Sequence, residues 1–312
     1  MTTVLVTGAS GFVGRNLVLS APADWTVLAM YRNAADFPAF LARHGLARVE
    51  AVPCDLTSAE QVGALGRRVP AHVDVIVHLA ANGDPAVSVT DPHGDLLAGP
   101  GTLVALLSRV TCDRLVYFSS GAVYSGLKGT VGPDVPVSPT LPYAIGKQAA
   151  EQYVRFFRKA ERVRESATIL RFFGAYGPHE PARKIYSRLV RWASTPGDEP
   201  FEVRGDGKNL IDAMYVDDTA RGIHAVLAAG AGDVIVDFAS GTPLTIDELV
   251  ETAAATFGKP ARIRHTGSVP EYIEFSVSTE RMERLFGFRP EIRLAEGLRR
   301  LRRHLEGEGR LP

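Results

Sequence analysis

The chain has 312 residues, of which 46% are hydrophobic and 22% charged, a balance that supports a sizeable buried core and excludes a disordered chain. Its 35 basic residues equal its 35 acidic ones, so no global field draws nucleic acid or an anionic membrane surface to it. No apolar run approaches the roughly 18 residues that span a bilayer, and no basic leader precedes the first strand-like run. Cys54 and Cys112 lie in or beside apolar runs without CxxC spacing, and read as core residues of a protein in a reducing cytoplasm.

In chain order, short Val/Ile/Leu runs at 3–7, 26–31, 48–52, 73–79 and 113–118 predict buried strands. Helix-length segments near 12–20, 34–44, 58–68 and 94–110 separate them, and Thr57-Ser58-Ala59-Glu60 has the spacing of a capping box. This alternation predicts an α/β fold with a doubly wound parallel sheet of the Rossmann type, covered on both faces. A long helix at 143–163 and a strand at 167–170 follow, and then Pro and Gly punctuate 174–181, 196–200 and 205–207. A smaller irregular lobe is expected there. Regular alternation returns with a helix at 217–229, a strand at 233–237 and a helix opened by the capping box Thr245-Ile246-Asp247-Glu248. The expected division is a dinucleotide-binding part at 1–170, rejoined by 211–240, and a substrate lobe within 171–312. Near the end Arg299, Arg300, Arg302 and Arg303 alternate with Leu298, Leu301 and Leu305 at helical spacing, which reads as a solvated amphipathic helix.

The first strand runs directly into Thr7-Gly8-Ala9-Ser10-Gly11-Phe12-Val13-Gly14 and then a helix. Gly8 suits a tight turn, Gly11 a close approach to a pyrophosphate, and Gly14 close packing of helix on strand. The amides at the helix start, around Ser10, Phe12 and Val13, then face the anion. Three glycines alone are also compatible with a turn that binds nothing. Their place after a first strand and before repeated strand-helix units favours a dinucleotide site.

Tyr143-Ala144-Ile145-Gly146-Lys147 follows Pro142, which suits a helix start, and the i, i+4 spacing puts a phenol and an ammonium on one face. A nearby cation is expected to lower the phenol pKa towards a usable base. Ser120 ends the fifth strand, where open α/β sheets place ligand-binding groups, and its hydroxyl can orient a reacting oxygen towards Tyr143.

The G-x-x-G-x-x-G turn and several later segments together resemble the extended short-chain dehydrogenase/reductase family of nucleotide-sugar epimerases, dehydratases and ketoreductases. Those segments are Asp55-Leu56, His78-Leu79-Ala80-Ala81, Val116 to Ser120, Tyr143 to Lys147, Tyr176-Gly177-Pro178, Gly205-Asp206-Gly207 and Tyr215-Val216-Asp217-Asp218. The resemblance implies that Asp55, Leu56, Leu79, Ala80 and Ala81 line an NAD(P) cofactor. It also implies that Ser120 and Tyr143 act on the substrate oxygen, that Lys147 holds the nicotinamide ribose, and that the substrate is a nucleotide-linked sugar. Homodimerisation through helices near 94–110 and 143–163 is likewise implied, with Leu103, Leu106, Leu107, Tyr153, Phe156 and Phe157 as residues that face either a partner or their own sheet.

The chain departs from the pattern in places. Where the second strand would end in an acidic residue it has Tyr31 followed by Arg32, which favours NADP(H) while leaving NAD(H) possible. The Asp-Glu pair of dehydratases is replaced by Gly121-Ala122, and an expected diphosphate-binding Asn and Arg by Gly174 and Ile211. The Asn of the fourth helix is Ala98. Arg183, Lys184, Arg188, Arg204 and Lys208 are alternative phosphate ligands, each with a solvated surface role as the plain reading. His78 and His179 read as structural and exposed, respectively. No His/Cys/Asp cluster has metal-ligand spacing, so no metal is expected. The leading expectation is an NADPH-dependent ketoreductase of a keto-sugar nucleotide. Its alternatives are a nucleotide-sugar epimerase and a non-catalytic dinucleotide sensor.

Overall fold

The structure is a computed structural model that describes residues 1–269 and 273–311. Its centre is a seven-stranded parallel sheet containing β1 (Thr2–Thr7), β2 (Trp25–Tyr31), β3 (Val49–Pro53), β4 (His72–His78) and β5 (Thr111–Ser120). The Val163–Phe172 and Val234–Phe238 strands complete it, in the order Val234–Phe238, Val163–Phe172, β5, β4, β1, β2, β3. The register Val4↔Val75 and Val4↔Val27 sets β1 between β4 and β2. Strands covered on both faces read as unbroken apolar runs, and Val4, Leu5 and Val6 are each no more than 1% exposed. Period-two alternation sends Leu5, Ile76, Leu115 and Tyr117 to one face, where they pack with Leu103, Leu106, Val154 and Phe157 from helices. Each such side chain, fully buried, contributes about 1.5–3 kcal/mol.

Two helical expectations change. The segment near 94–110 is not one helix: Pro92–Leu96 and Thr102–Leu107 are joined by a wider turn over Leu97–Gly101. Pro100 has no N–H and its ring crowds the Leu96 carbonyl, so the hydrogen-bond ladder opens there, with Gly99 taking φ −92° and ψ −105°. Near 58–68, Ser58 rather than Thr57 is the cap, its side chain accepting from the Gln61 amide, and the α-helix ends at Gly63 before a short 3₁₀ turn at Leu65–Arg67. At Thr245 both halves of the capping box form with Glu248. The late helix, Leu294–Gly307, buries Leu298, Leu301 and Leu305 and turns its arginines outward.

Two compact units result: Met1–Ser125, Pro136–Phe172 and Ile223–Val236 form the first, and Gly126–Val135, Phe173–Gly222 and Asp237–Pro312 the second. Gly126–Val135 belongs to the second unit because Lys128–Val131 pairs with Glu274–Val277. That unit is built from two-stranded ribbons, including Phe201–Arg204 with Ile263–Thr266, around a core of Tyr176, Tyr186, Leu189, Leu249, Leu298 and Leu301.

Candidate functional site

The glycine turn leads from β1 into helix α1 (Phe12–Leu19), and its shape is set by what surrounds it. Gly8 has φ +67°, and a Cβ there would stand 2.9 Å from the Ala80 amide at the end of β4. A Cβ on Gly14 would stand 2.7 Å from Ala9 Cα. The turn is also tied to β2 by the Ala9 amide donating to the Met30 carbonyl at 3.0 Å. Gly11 caps α1 with no side-chain hydrogen bond, and the first turn carries no acidic residue. An uncapped helix start after a turn with glycine at positions 8 and 11 is a fitting cradle for a pyrophosphate, so the residues present suit a dinucleotide. Of the further expected cofactor residues, Leu79 and Ala80 close on this turn: the Leu79 amide donates to the Thr7 carbonyl and the Ala80 amide to Thr7 Oγ1. Ala81 follows directly, half-buried. Asp55 accepts from the Thr57 amide and hydroxyl, which shapes the loop after β3 and buries Leu56.

The end of β2 holds more charge than the sequence reading found. Tyr31 is half-buried with its ring 5.2 Å from that of Phe37. Arg32 is exposed and makes no hydrogen bond or ion pair with a described residue. Arg15, one residue past the last glycine, lies over Phe40 at 4.6 Å, donates to the Ser10 carbonyl at 2.9 Å and pairs with Asp36 at 2.8 Å. Its place immediately after Gly14 was the available signal.

Ser120, Tyr143 and Lys147 converge at the end of β5. Alternation along the strand separates the neighbouring serines: Ser119 donates to Glu151 Oε1 at 2.6 Å, whereas Ser120 accepts from the Ala122 amide and acts on Tyr143, whose pKa it lowers. Tyr143 and Lys147 lie on the Pro142–Lys159 helix, with Pro142 at its start. Lys147 Nζ donates to the Phe118 carbonyl at 2.7 Å and sits 5.8 Å from the Tyr143 ring centre. The expectation of a lowered phenol pKa fails here. Burial holds Tyr143 above the usual tyrosine range, the Ser120 hydrogen bond opposes this, and the Asp95 carboxylate adds to it. Burial pushes Lys147 down to about 8, against Asp95 and Glu151. The phenol is therefore a proton donor in this state, beside a lysine whose charge is only partly protected.

Three groups surround this constellation, and of them the sequence pointed only to His78. Asp95, on the Pro92–Leu96 helix, is buried and accepts from Asn82 Nδ2 at 2.9 Å. Glu151, one turn after Lys147, is buried and gripped by Arg171 through contacts of 2.9 and 3.0 Å, and Arg171 also donates to Tyr124 at 2.9 Å. His78, singled out as structural, bridges Thr7 Oγ1 at 3.0 Å and Thr102 Oγ1 at 3.3 Å. Because Thr7 Oγ1 already accepts from Ala80 N–H, it donates to His78 Nδ1, and His78 Nε2–H donates to Thr102, whose hydroxyl reaches the Gly99 carbonyl at 2.8 Å. Burial first, and Lys147 second, pull His78 down to about 3, so it stays neutral.

In the second unit Gly174 has φ +122° and Ile211 lies in a two-residue strand against Leu244. Arg188 stacks 5.0 Å over Phe201, and Arg204 donates to the Ser268 carbonyl. His179, half-buried with φ +67°, meets His304 and Glu308, their ligand atoms lying within 4.8 Å of one another. Sequence spacing could not show this group, since 125 residues separate the two histidines. As it stands Glu308 is paired with Arg310 at 2.8 Å, and His304 Nε2 accepts from the His179 amide. Among the described residues no helix is long and apolar enough to cross a membrane.

Comparison with known proteins agrees with this geometry. A curated relative, the dTDP-glucose 4,6-dehydratase of Streptomyces griseus, is 30% identical over 325 aligned residues, covering 96% of this chain and 92% of that protein. The UDP-glucuronate 4-epimerase of Thermodesulfobacterium geofontis is 26% identical over 73% of this chain and 71% of its own. The fold matches the crystal structure of UDP-glucuronic acid 4-epimerase from Bacillus cereus in complex with UDP-glucuronic acid and NAD, with TM-score 0.84, 23% identity, and 98% and 99% of the two chains covered. Residues 4–236, including the glycine turn and the Ser120, Tyr143 and Lys147 constellation, match a single enzyme family, and the chain belongs to that NAD dependent epimerase/dehydratase family, of the extended short-chain dehydrogenase/reductase type.

Proposed function

We propose that this enzyme is a nucleotide-sugar epimerase that oxidises a carbinol carbon of a sugar carried on a nucleoside diphosphate and reduces it again from the other face. The observation that carries this reading is the convergence of Ser120, Tyr143 and Lys147 at the end of β5, with Gly121 and Ala122 where a dehydratase needs acid and base. Relatives named for dTDP-glucose and UDP-glucuronate support the substrate class. The earlier expectation of a ketoreductase takes second place, because family and relatives point to epimerases and dehydratases.

Gly8, Ser10, Gly11, Phe12, Val13 and Gly14 would hold the pyrophosphate. Asp55, Leu56, Leu79, Ala80 and Ala81 would flank the rest of the dinucleotide, and Lys147 its nicotinamide ribose. When bound, the nicotinamide supplies the acceptor and donor of the hydride. Ser120 Oγ orients the substrate oxygen. As the phenolate, Tyr143 Oη would take the hydroxyl proton while the carbon is oxidised, and as the phenol so formed it would return that proton while the carbonyl is reduced, so protons balance over the cycle.

Arg32, exposed at the end of β2, favours NADP(H) and with it the reductase reading. Mass analysis of nicotinamide released from the denatured protein, followed by NMR of UDP-glucose, UDP-glucuronate and dTDP-glucose incubated without added reductant, tests both. Epimer formation with no net cofactor change supports the epimerase; stoichiometric NADPH consumption would replace it with the reductase. If Arg32 pairs with a 2′-phosphate, Arg32→Ala costs roughly 1.5–3 kcal/mol for NADPH and little for NADH in fluorescence titrations.

We also propose a homodimer in the reducing cytoplasm. Leu103, Leu106, Leu107 and Phe157 face their own sheet, but Tyr153, Phe156, Leu96 and Leu97 are 42–58% exposed on the same helices, an apolar face suited to a second copy. A monomeric mass in light scattering at micromolar concentration would refute this. Cys54 and Cys112 are free and buried, and burial raises both thiols, Cys112 to about 12, as fits a reducing compartment.

A further inference from the structure

Asp95 is 5% exposed, and its one side-chain hydrogen bond among the described residues is the 2.9 Å contact from Asn82. Asn82 is itself fixed, donating to the Asp84 carbonyl and accepting from the Asp84 amide, both at 3.0 Å. The other carboxylate oxygen faces the Pro142–Lys159 helix at Gly146, 3.7 Å from where a Cβ would stand. A buried carboxylate with one neutral donor is unfavourable unless a cation lies within reach. The cation on this stretch of helix is Lys147, itself 6% exposed.

The groups around Lys147 single out Asp95. From β5 come the Phe118 carbonyl and the Tyr117 ring, whose centre is 5.3 Å from Nζ. From β4 comes His78, neutral and bonded at both nitrogens. On its own helix lie Tyr143 and Glu151, and Arg171 on the adjoining strand already binds both oxygens of Glu151. Asp95 is the remaining carboxylate, and it is in no ion pair with a described residue. It forms no direct ion pair with Lys147, so the coupling acts through space, where a poorly solvated interior strengthens it. The asparagine that the family resemblance places on this helix is Ala98 here, and Asp95 is the polar side chain that the segment turns inward instead.

We propose that Asp95 is a positioning residue for the Tyr143–Lys147 pair, its buried carboxylate, turned to the helix at Gly146 between the two residues, serving as counter-charge to the Lys147 ammonium. The proposal rests on the reading of these two residues as the reacting pair. Titration of ¹³C-labelled lysines by NMR, with Lys147 assigned from the signal missing in Lys147→Arg, measures the effect without cofactor or substrate. With burial pushing Lys147 down to about 8, its midpoint in the unaltered protein is expected near that value. In Asp95→Asn, which keeps the shape and can still meet Asn82, the midpoint falls by about 1 pH unit, and Asp95→Glu restores it to within about half a unit. An unmoved midpoint in Asp95→Asn, or an equal fall in Asp95→Glu, overturns the proposal. NADH and NADPH titrations form the second arm. Asp95→Asn is expected to bind about fivefold more weakly at pH 8 and within about twofold at pH 6, because Lys147 loses its proton earlier. Failure of the unaltered protein to bind either dinucleotide would sink the hydride-transfer reading, while the NMR midpoint would still decide the role of Asp95.

Discussion

In the unit that holds the glycine turn, buried charges face charges of opposite sign, whereas in the second unit buried carboxylates are held mainly by neutral donors. Glu151 grips Arg171, and Lys147 lies between the fields of Asp95 and Glu151. In the second unit Asp212 accepts from the Ser240 hydroxyl and the Gly241 amide, and Glu180 from Ser187. Asp218 accepts from the amides of Glu291 and Ile292, with a partly exposed Arg221 on its other oxygen. The first arrangement sets protonation states near reacting groups. The second fastens loops, as Asp218 of the Tyr215-Val216-Asp217-Asp218 motif pins the segment at 291–292. Ionisable groups thus gather beside the proposed reacting pair in one unit and fasten loops in the other.

The sharpest way to break this contrast is to remove one charge from each unit. Glu151→Ala leaves Arg171 buried without its counter-charge and is expected to cost about 3–5 kcal/mol in chemical denaturation. Asp212→Asn keeps its hydroxyl and amide donors near a group whose pKa burial already raises, and is expected to cost no more than about 1 kcal/mol. Similar losses for the two variants would erase the distinction.

Acid and base then act on the two units in opposite directions. His78 is held at about 3 in the folded chain, below its ordinary 6.5, so the unfolded chain binds more protons between these values and stability falls as pH drops through that window. At pH 4 the loss is on the order of 3 kcal/mol. Burial pushes Glu180 up to about 7 from 4.5, against its Ser187 hydrogen bond, so the folded chain binds more protons there and stability falls as pH rises from 4.5 to 7. That contribution is again on the order of 3 kcal/mol. Denaturation across pH should lose its acid slope in His78→Gln and the opposing slope in Glu180→Gln; parallel curves for variant and parent would count against these assignments.

Tyr143→Phe sharpens the chemical side of the comparison. It is expected to lower turnover by at least ~10²-fold, about 2.7 kcal/mol, while leaving cofactor affinity and unfolding midpoint nearly unchanged. Turnover near that of the parent would remove Tyr143 from the mechanism.

Much of the first unit was legible in the amino-acid order because its signals are local. The strand, glycine turn and helix occupy consecutive residues, Gly8 and Gly14 are required by contacts within the same few turns of chain, and Tyr143 and Lys147 share a helical face through i, i+4 spacing alone. Ser120 came from the resemblance to the family, and strand alternation in the structure turns its neighbour Ser119 away, to Glu151. What the tertiary structure alone decided is who meets whom across the sheet. Asp95 reaches Asn82 and the Tyr143–Lys147 helix, Glu151 meets Arg171 20 residues on, and Thr7 meets His78 71 residues on. Strand order sets these pairings, and no local period encodes strand order. The phenol pKa moved opposite to expectation for the same reason: the sequence placed a cation four residues away, but burial first, and then a carboxylate from another helix, both products of packing, set the direction against Ser120.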